Sequence, residues 1–71
     1  MTYDQFNSLD NHEQLAAVWA AASFICDRCY SNEKFLLYHL NDFYVEICYA
    51  SNDNEIIGVR AFKHPPLLSA N

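Results

Sequence analysis

From Phe35 to Phe62 the chain alternates side chains with a period of two and pauses at two turn signals. Such alternation predicts strands. They are expected at Lys34–Leu40, Phe43–Ala50 and Glu55–Lys63. Asn41-Asp42 reads as a two-residue hairpin loop, because both residues tolerate positive φ. Asn52-Asp53-Asn54 reads as a second turn, and Pro65-Pro66 ends the sheet, since proline offers no ladder donor. Upstream, Ser23–Tyr30 is rich in aromatic, β-branched and cysteine residues. It reads as a fourth strand before a turn at Ser31-Asn32, although a helix continued to Cys29 also fits so short a segment and would leave three strands.

Before the strands the period changes. Thr2 and Gln5 form a capping-box pattern, which predicts a short helical turn with Phe6 and Leu9 on its inner side. Asp10 and Glu13 repeat the pattern and open a helix from Asn11 to about Ala21. Leu15, Val18, Trp19 and Ala22 recur at helical spacing and predict its buried stripe.

The hairpin fixes a register. A loop at Asn41-Asp42 pairs Leu40 with Phe43, Tyr38 with Val45 and Leu36 with Ile47. One face then holds Leu36, Tyr38, Leu40, Phe43, Val45, Ile47 and Tyr49. A three-residue loop at 52–54 adds Ile57, Val59 and Ala61 to it. This is the expected core face, with the Trp19 helix lying on it. The opposite face receives Phe35, Leu37 and His39 from one strand, and Tyr44, Glu46 and Cys48 from the next. Ile56, Gly58, Arg60 and Phe62 complete it, with Glu46 directly opposite Arg60. A four-residue loop would send Arg60 to the apolar face, an expensive burial.

The expected architecture is α+β: one or two N-terminal helices packed on a four-stranded, or else three-stranded, antiparallel meander. Seventy-one residues make a single small domain, with residues 64–71 expected as a loose tail. A chain of this length has a marginal core and commonly relies on disulfides, a metal or a partner. Yet 52% of its residues are apolar, more than one small core absorbs, so an exposed apolar patch is expected.

The formal net charge is −5, with basic residues only at Arg28, Lys34, Arg60 and Lys63. That balance disfavours nucleic acid and anionic lipid and suits solubility or a basic protein partner. Leu15–Ala22 is too short an apolar run to span a bilayer. Met1-Thr2-Tyr3-Asp4 opens on an acid without a basic segment, so no signal peptide is expected. Three cysteines, an odd count, fit a reducing cytoplasm better than a disulfide framework.

Candidate chemistry is thin. Cys26-Asp27-Arg28-Cys29 matches C-x-x-C, but on a strand the two sulfurs face opposite ways, and packing cysteines are the expectation. His39, Glu46 and Cys48 share a face, yet His39 pairs with Tyr44 while Cys48 lies two pair-steps away beside Phe35. That separation is too long for a nucleophile–base hydrogen bond. His12, His39 and His64 fall on separate elements, and no metal or other cofactor is expected. Gly58, the only glycine, sits inside a strand and rules out a glycine-rich phosphate loop.

The pattern Leu37-Tyr38-His39-Leu40-x-x-Phe43-Tyr44-Val45-Glu46, followed by Ile56-Ile57, Arg60 and Phe62, resembles short uncharacterised bacterial proteins. In these a helical start of the type FNSLDNHEQLAAVW precedes a small meander. The resemblance implies the fold and carries no activity.

The functional expectation is a non-catalytic acidic interaction module, homodimeric or an inhibitor- or antitoxin-like partner of a basic protein. The alternative is a small ligand binder or enzyme using the face around Tyr44, Glu46 and Arg60, where an Arg–Glu pair could receive a carboxylate or an amine.

Overall fold

The computed structural model describes residues 1–30, 32–50 and 55–64. Ser31 of the first expected turn, the Asn52–Asn54 turn, the Pro65-Pro66 stop and residues 65–71 of the expected tail lie outside the described residues. The described chain runs α1 (Tyr3–Asn7), α2 (Asn11–Ala21), β1 (Ser23–Tyr30), β2 (Glu33–Leu40), β3 (Phe43–Ala50) and β4 (Glu55–Phe62). It is an α+β meander, with one antiparallel sheet in the order β1-β2-β3-β4.

Both helices start where their caps place them. The Thr2 hydroxyl accepts the Gln5 backbone N–H at 3.1 Å, while the Gln5 side chain accepts the Thr2 N–H at 2.8 Å. Asp10 and Glu13 reciprocate in the same way at 2.8 and 3.1 Å. Each box satisfies two donors that a helix start otherwise leaves orphaned. At its C-terminus α2 enters β1 through a single extended residue, Ala22, whose N–H still donates to the Val18 carbonyl at 2.9 Å. Segment 23–30 is therefore a strand. Its β-branched and aromatic side chains suit a pleated edge better than a further helical turn.

The β2–β3 hairpin pairs Leu40 with Phe43, Tyr38 with Val45 and Leu36 with Ile47, as its pattern requires. Asn41 takes the positive φ of 59° that closes the turn, and its side-chain N–H donates to the Met1 carbonyl at 2.8 Å. That bond ties the N-terminus to the hairpin tip.

The core lies between the helices and one face of the sheet. Phe6, Val18, Leu40, Phe43, Val45 and Ile47 are its buried members. Phe43 is the hub between α1 and the sheet, with ring centroids 5.5 Å from Phe6 and 6.1 Å from Tyr3. α1 packs toward β4, and α2 toward β2 and β4.

Three placements differ from the sequence expectation. Trp19 is not in the buried stripe: it is 54% exposed and meets the sheet only edge-on, at Tyr38. The helix instead turns Gln14 and Val18 inward, one turn apart. The Gln14 amide earns its buried position by donating to the Phe6 carbonyl at 3.0 Å, which satisfies both groups. With alanine on several sides of α2, apolar spacing alone left the rotation open.

Ile56 and Ile57 do not follow the expected alternation. β4 carries a bulge: Gly58 pairs with Cys48 and Ile56 with Tyr49, leaving Ile57 as the extra residue. Ile56 consequently packs against the core while Ile57 is 52% exposed. The bulge also reconciles the register with a ladder that closes at Ala50 and Glu55, because the extra residue restores Glu46 opposite Arg60. A second bulge, at Ile25, interrupts β1 between the Phe24–Tyr38 and Cys26–Leu37 pairs.

The third difference is Leu37, which lies on the face away from the helices and is still only 4% exposed. Its cross-strand neighbours Cys26 and Glu46 flank it on both sides, and Phe35 and His39 flank it along its own strand.

Candidate functional site: the outer face of the sheet

Cross-strand partners in an antiparallel ladder share a face, so the register assigns the outer surface row by row. Phe62, Tyr44, His39 and Ser23 form one row, and Arg60, Glu46, Leu37 and Cys26 the next. Gly58, Cys48, Phe35 and Arg28 form the third, and Glu55, Ala50, Glu33 and Tyr30 the fourth. Nine of the ten residues assigned to this face by pattern therefore stand on it, and Ile56 alone belongs to the core side. Ser23, Cys26, Arg28 and Tyr30 are additions from β1 that its irregular pattern concealed, and Glu33 and Glu55 add acids at the ends of β2 and β4. The Phe24–Cys26 register shift breaks the period-two alternation that would have revealed the β1 residues.

Aromatic contacts tile the surface. His39 stacks on Tyr44 with centroids 4.8 Å apart and rings 23° from parallel. Tyr30 meets Phe35 edge-on at 5.7 Å, and its hydroxyl accepts a hydrogen bond from the Arg28 guanidinium at 2.6 Å. Arg60 lies over the Phe62 ring at 5.3 Å and donates through Nη2 to Glu46 Oε1 at 3.1 Å. The Arg60 side chain is 69% exposed against 16% for Glu46. An exposed pair of this kind contributes at most about 1 kcal/mol, so it fixes side-chain positions more than it stabilises the fold.

Burial pushes the Cys48 thiol up from its ordinary range, and the Glu33 and Glu46 carboxylates push it further, against a lowering by Arg60. These influences favour the thiol, which is a weaker nucleophile than thiolate. His39 pairs with Tyr44 and Cys48 with Phe35, the two-step separation that keeps imidazole and sulfur apart. Cys26 and Cys29, both free, point to opposite faces, paired with Leu37 and Lys34. Among the described residues, no group of three or more histidine, cysteine or acidic side chains is placed to hold a metal.

Two concavities lie near the hairpin tip. One, of about 510 Å³, lies between Ala17, Ala20 and Ala21 of α2 and Met1, Leu40 and Asn41. The other, of about 310 Å³, is lined by Tyr3, Asp4, Asp42 and Lys63, with Thr2 and Phe43. Neither includes Tyr44, Glu46 or Arg60. Around those three residues lie the His39–Tyr44 stack and the Arg60–Phe62 contact.

Among the described residues, no helix is long and apolar enough to cross a membrane. No protein-family model, curated protein or solved structure matches the chain.

Proposed function

We propose that this chain is a non-catalytic, acidic protein-interaction module that binds protein through the outer face of its sheet. One observation carries the reading: both helices pack on the same side of the sheet, and the side they leave uncovered still carries Phe35, Leu37, Tyr44 and Phe62. The outer side combines half-buried aromatic anchors, Phe35, Tyr44 and Phe62, with charged groups at Arg28, Glu33, Glu46, Glu55 and Arg60. Aromatic and arginine side chains around a desolvated centre are the composition of a protein-binding hot spot. The net charge of −5 works against nucleic acid and anionic lipid as partners. Three free cysteines suit a reducing cytoplasm.

A photo-crosslinking amino acid placed at Tyr44 in cells tests the reading. It is expected to form covalent adducts with protein, whereas the same group at the exposed α2 position Ala16 is expected to form none. Absence of adducts from position 44, or equal yields from both positions, would overturn it.

A further inference from the structure

We propose that the rings of Trp19, Phe24 and Tyr38, beside the C-terminus of α2, form a site for an alkylated ammonium group. The site lies on the helix side of the sheet and stands independently of the outer face.

The rings meet because three elements converge. α2 packs toward β2 and β4 and leaves the inner side of edge strand β1 open beside it, where Phe24, Asp27 and Cys29 are all exposed. Phe24 pairs with Tyr38 across the ladder, which puts both rings on that side. The inward turn of Gln14 and Val18 leaves Trp19 over the same spot. Trp19 meets Tyr38 at 5.9 Å with planes 77° apart, and Phe24 meets it at 5.7 Å and 70°. Two rings, 54% and 56% exposed, thus stand steeply against a half-buried third.

Three sources of negative potential converge there. Aromatic faces attract an ammonium group within about 6 Å, tryptophan most strongly. The last turn of α2, which holds Trp19, contains no basic residue, so its final carbonyls present the negative end of the helix dipole. Asp27 stands one row along the same face, opposite Leu36, and its carboxylate makes no hydrogen bond or ion pair with another described residue. Among the described ladder residues the base on this side is Lys34, four residues along β2 from Tyr38, roughly 13 Å at about 3.3 Å per residue.

The chain already uses this chemistry internally. Lys63 lies over Tyr3, Arg28 over Tyr30 and Arg60 over Phe62, at 5.4, 5.9 and 5.3 Å. Among the described residues no lysine or arginine lies over Trp19, Phe24 or Tyr38, so their faces are open to a cation from outside. One carboxylate does not replace the oxygen shell that a metal ion requires. An alkylated ammonium sheds water readily and offers methyl groups to the rings, which suits steep aromatic walls.

Trp19 is the only tryptophan, so its fluorescence reports the site directly. Titration of the full chain with tetramethylammonium chloride is expected to give a saturable change with a dissociation constant in the millimolar range. Sodium chloride at equal ionic strength and uncharged tert-butanol are expected to give none. Phe24→Leu is expected to weaken binding at least about threefold and Asp27→Asn about twofold, with unchanged circular dichroism. If Phe24→Leu loses its folded spectrum, Asp27→Asn is read in its place. A non-saturable response, an equal response to tert-butanol, or wild-type affinity in both variants would overturn the proposal. A peptide carrying trimethyllysine separates the two sources of the group. Binding tighter than that of tetramethylammonium assigns the site to a protein side chain, and binding no tighter assigns it to a free small molecule; the site stands in both cases.

Discussion

Phe43→Ala is expected to remove about 3–5 kcal/mol of folding stability. Phe43 is 1% exposed and joins three parts of the molecule, pairing with Leu40 across the hairpin and packing its ring on Phe6 and Tyr3 of α1. Removing the ring forfeits its transfer free energy and leaves a cavity where α1 packs on the sheet. A chain of this length has roughly 4–10 kcal/mol of stability in total. Urea unfolding followed by circular dichroism should therefore show a variant that is largely unfolded or melts at very low denaturant. A shift below about 1 kcal/mol would mean that the ring is not the hub described.

Ile47→Asp and Ile57→Asp should behave oppositely. Ile47 is fully buried on β3, so its replacement places a carboxyl in an apolar site without a partner. The carboxyl's folded-state pKa would rise above its unfolded value of about 3.9. The charge penalty is then absent below that pH and grows as pH increases, by up to about 1.4 kcal/mol per unit until the folded-state pKa is passed. The variant is expected to be unfolded at neutral pH and to keep whatever structure it has only in acid. Ile57 is the bulge residue and 52% exposed, so its replacement is expected to cost less than about 1 kcal/mol. Melting curves at pH 4 and pH 7 read both variants. If Ile57→Asp unfolds the protein as Ile47→Asp does, β4 has no bulge there and Ile57 faces the core.

Most of this architecture was legible because local signals agreed with one another. The Thr2/Gln5 and Asp10/Glu13 boxes mark the two helix starts, Asn41-Asp42 marks the hairpin, and alternation along β2 and β3 admits one register. The opposition of Glu46 and Arg60 is expected from a three-residue turn at Asn52–Asn54; it holds with the ladder closing at Ala50 and Glu55 because the Ile57 bulge restores it. What escaped were features set by the third dimension. Ile56 and Ile57 are chemically identical, so no pattern tells which of them a bulge turns outward. The rotation of α2 depends on a hydrogen bond between Gln14 and the Phe6 carbonyl eight residues away. Trp19 looked like core because it is large and apolar. Its exposure follows from the turn of α2 toward Gln14 and Val18.

The outer face was legible as a composition and incomplete as a surface. Pattern placed Phe35, Tyr44 and Phe62 there, but the share contributed by β1 depends on the bulge at Ile25. Nor does composition show that Leu37, at the centre of the face, is already shielded by its neighbours. That leaves the surrounding aromatic rings, more than Leu37, as the groups a partner would touch.

Backbone amide NMR of the labelled chain, alone and with cell extract added, tests most directly which face is used. Shifts or line broadening on addition of extract are expected at Leu37, Tyr44, Cys48 and Phe62, with the α2 amides of Ala16 and Ala20 unmoved. Changes centred on α2, or identical spectra with and without extract, would contradict association through the uncovered side of the sheet.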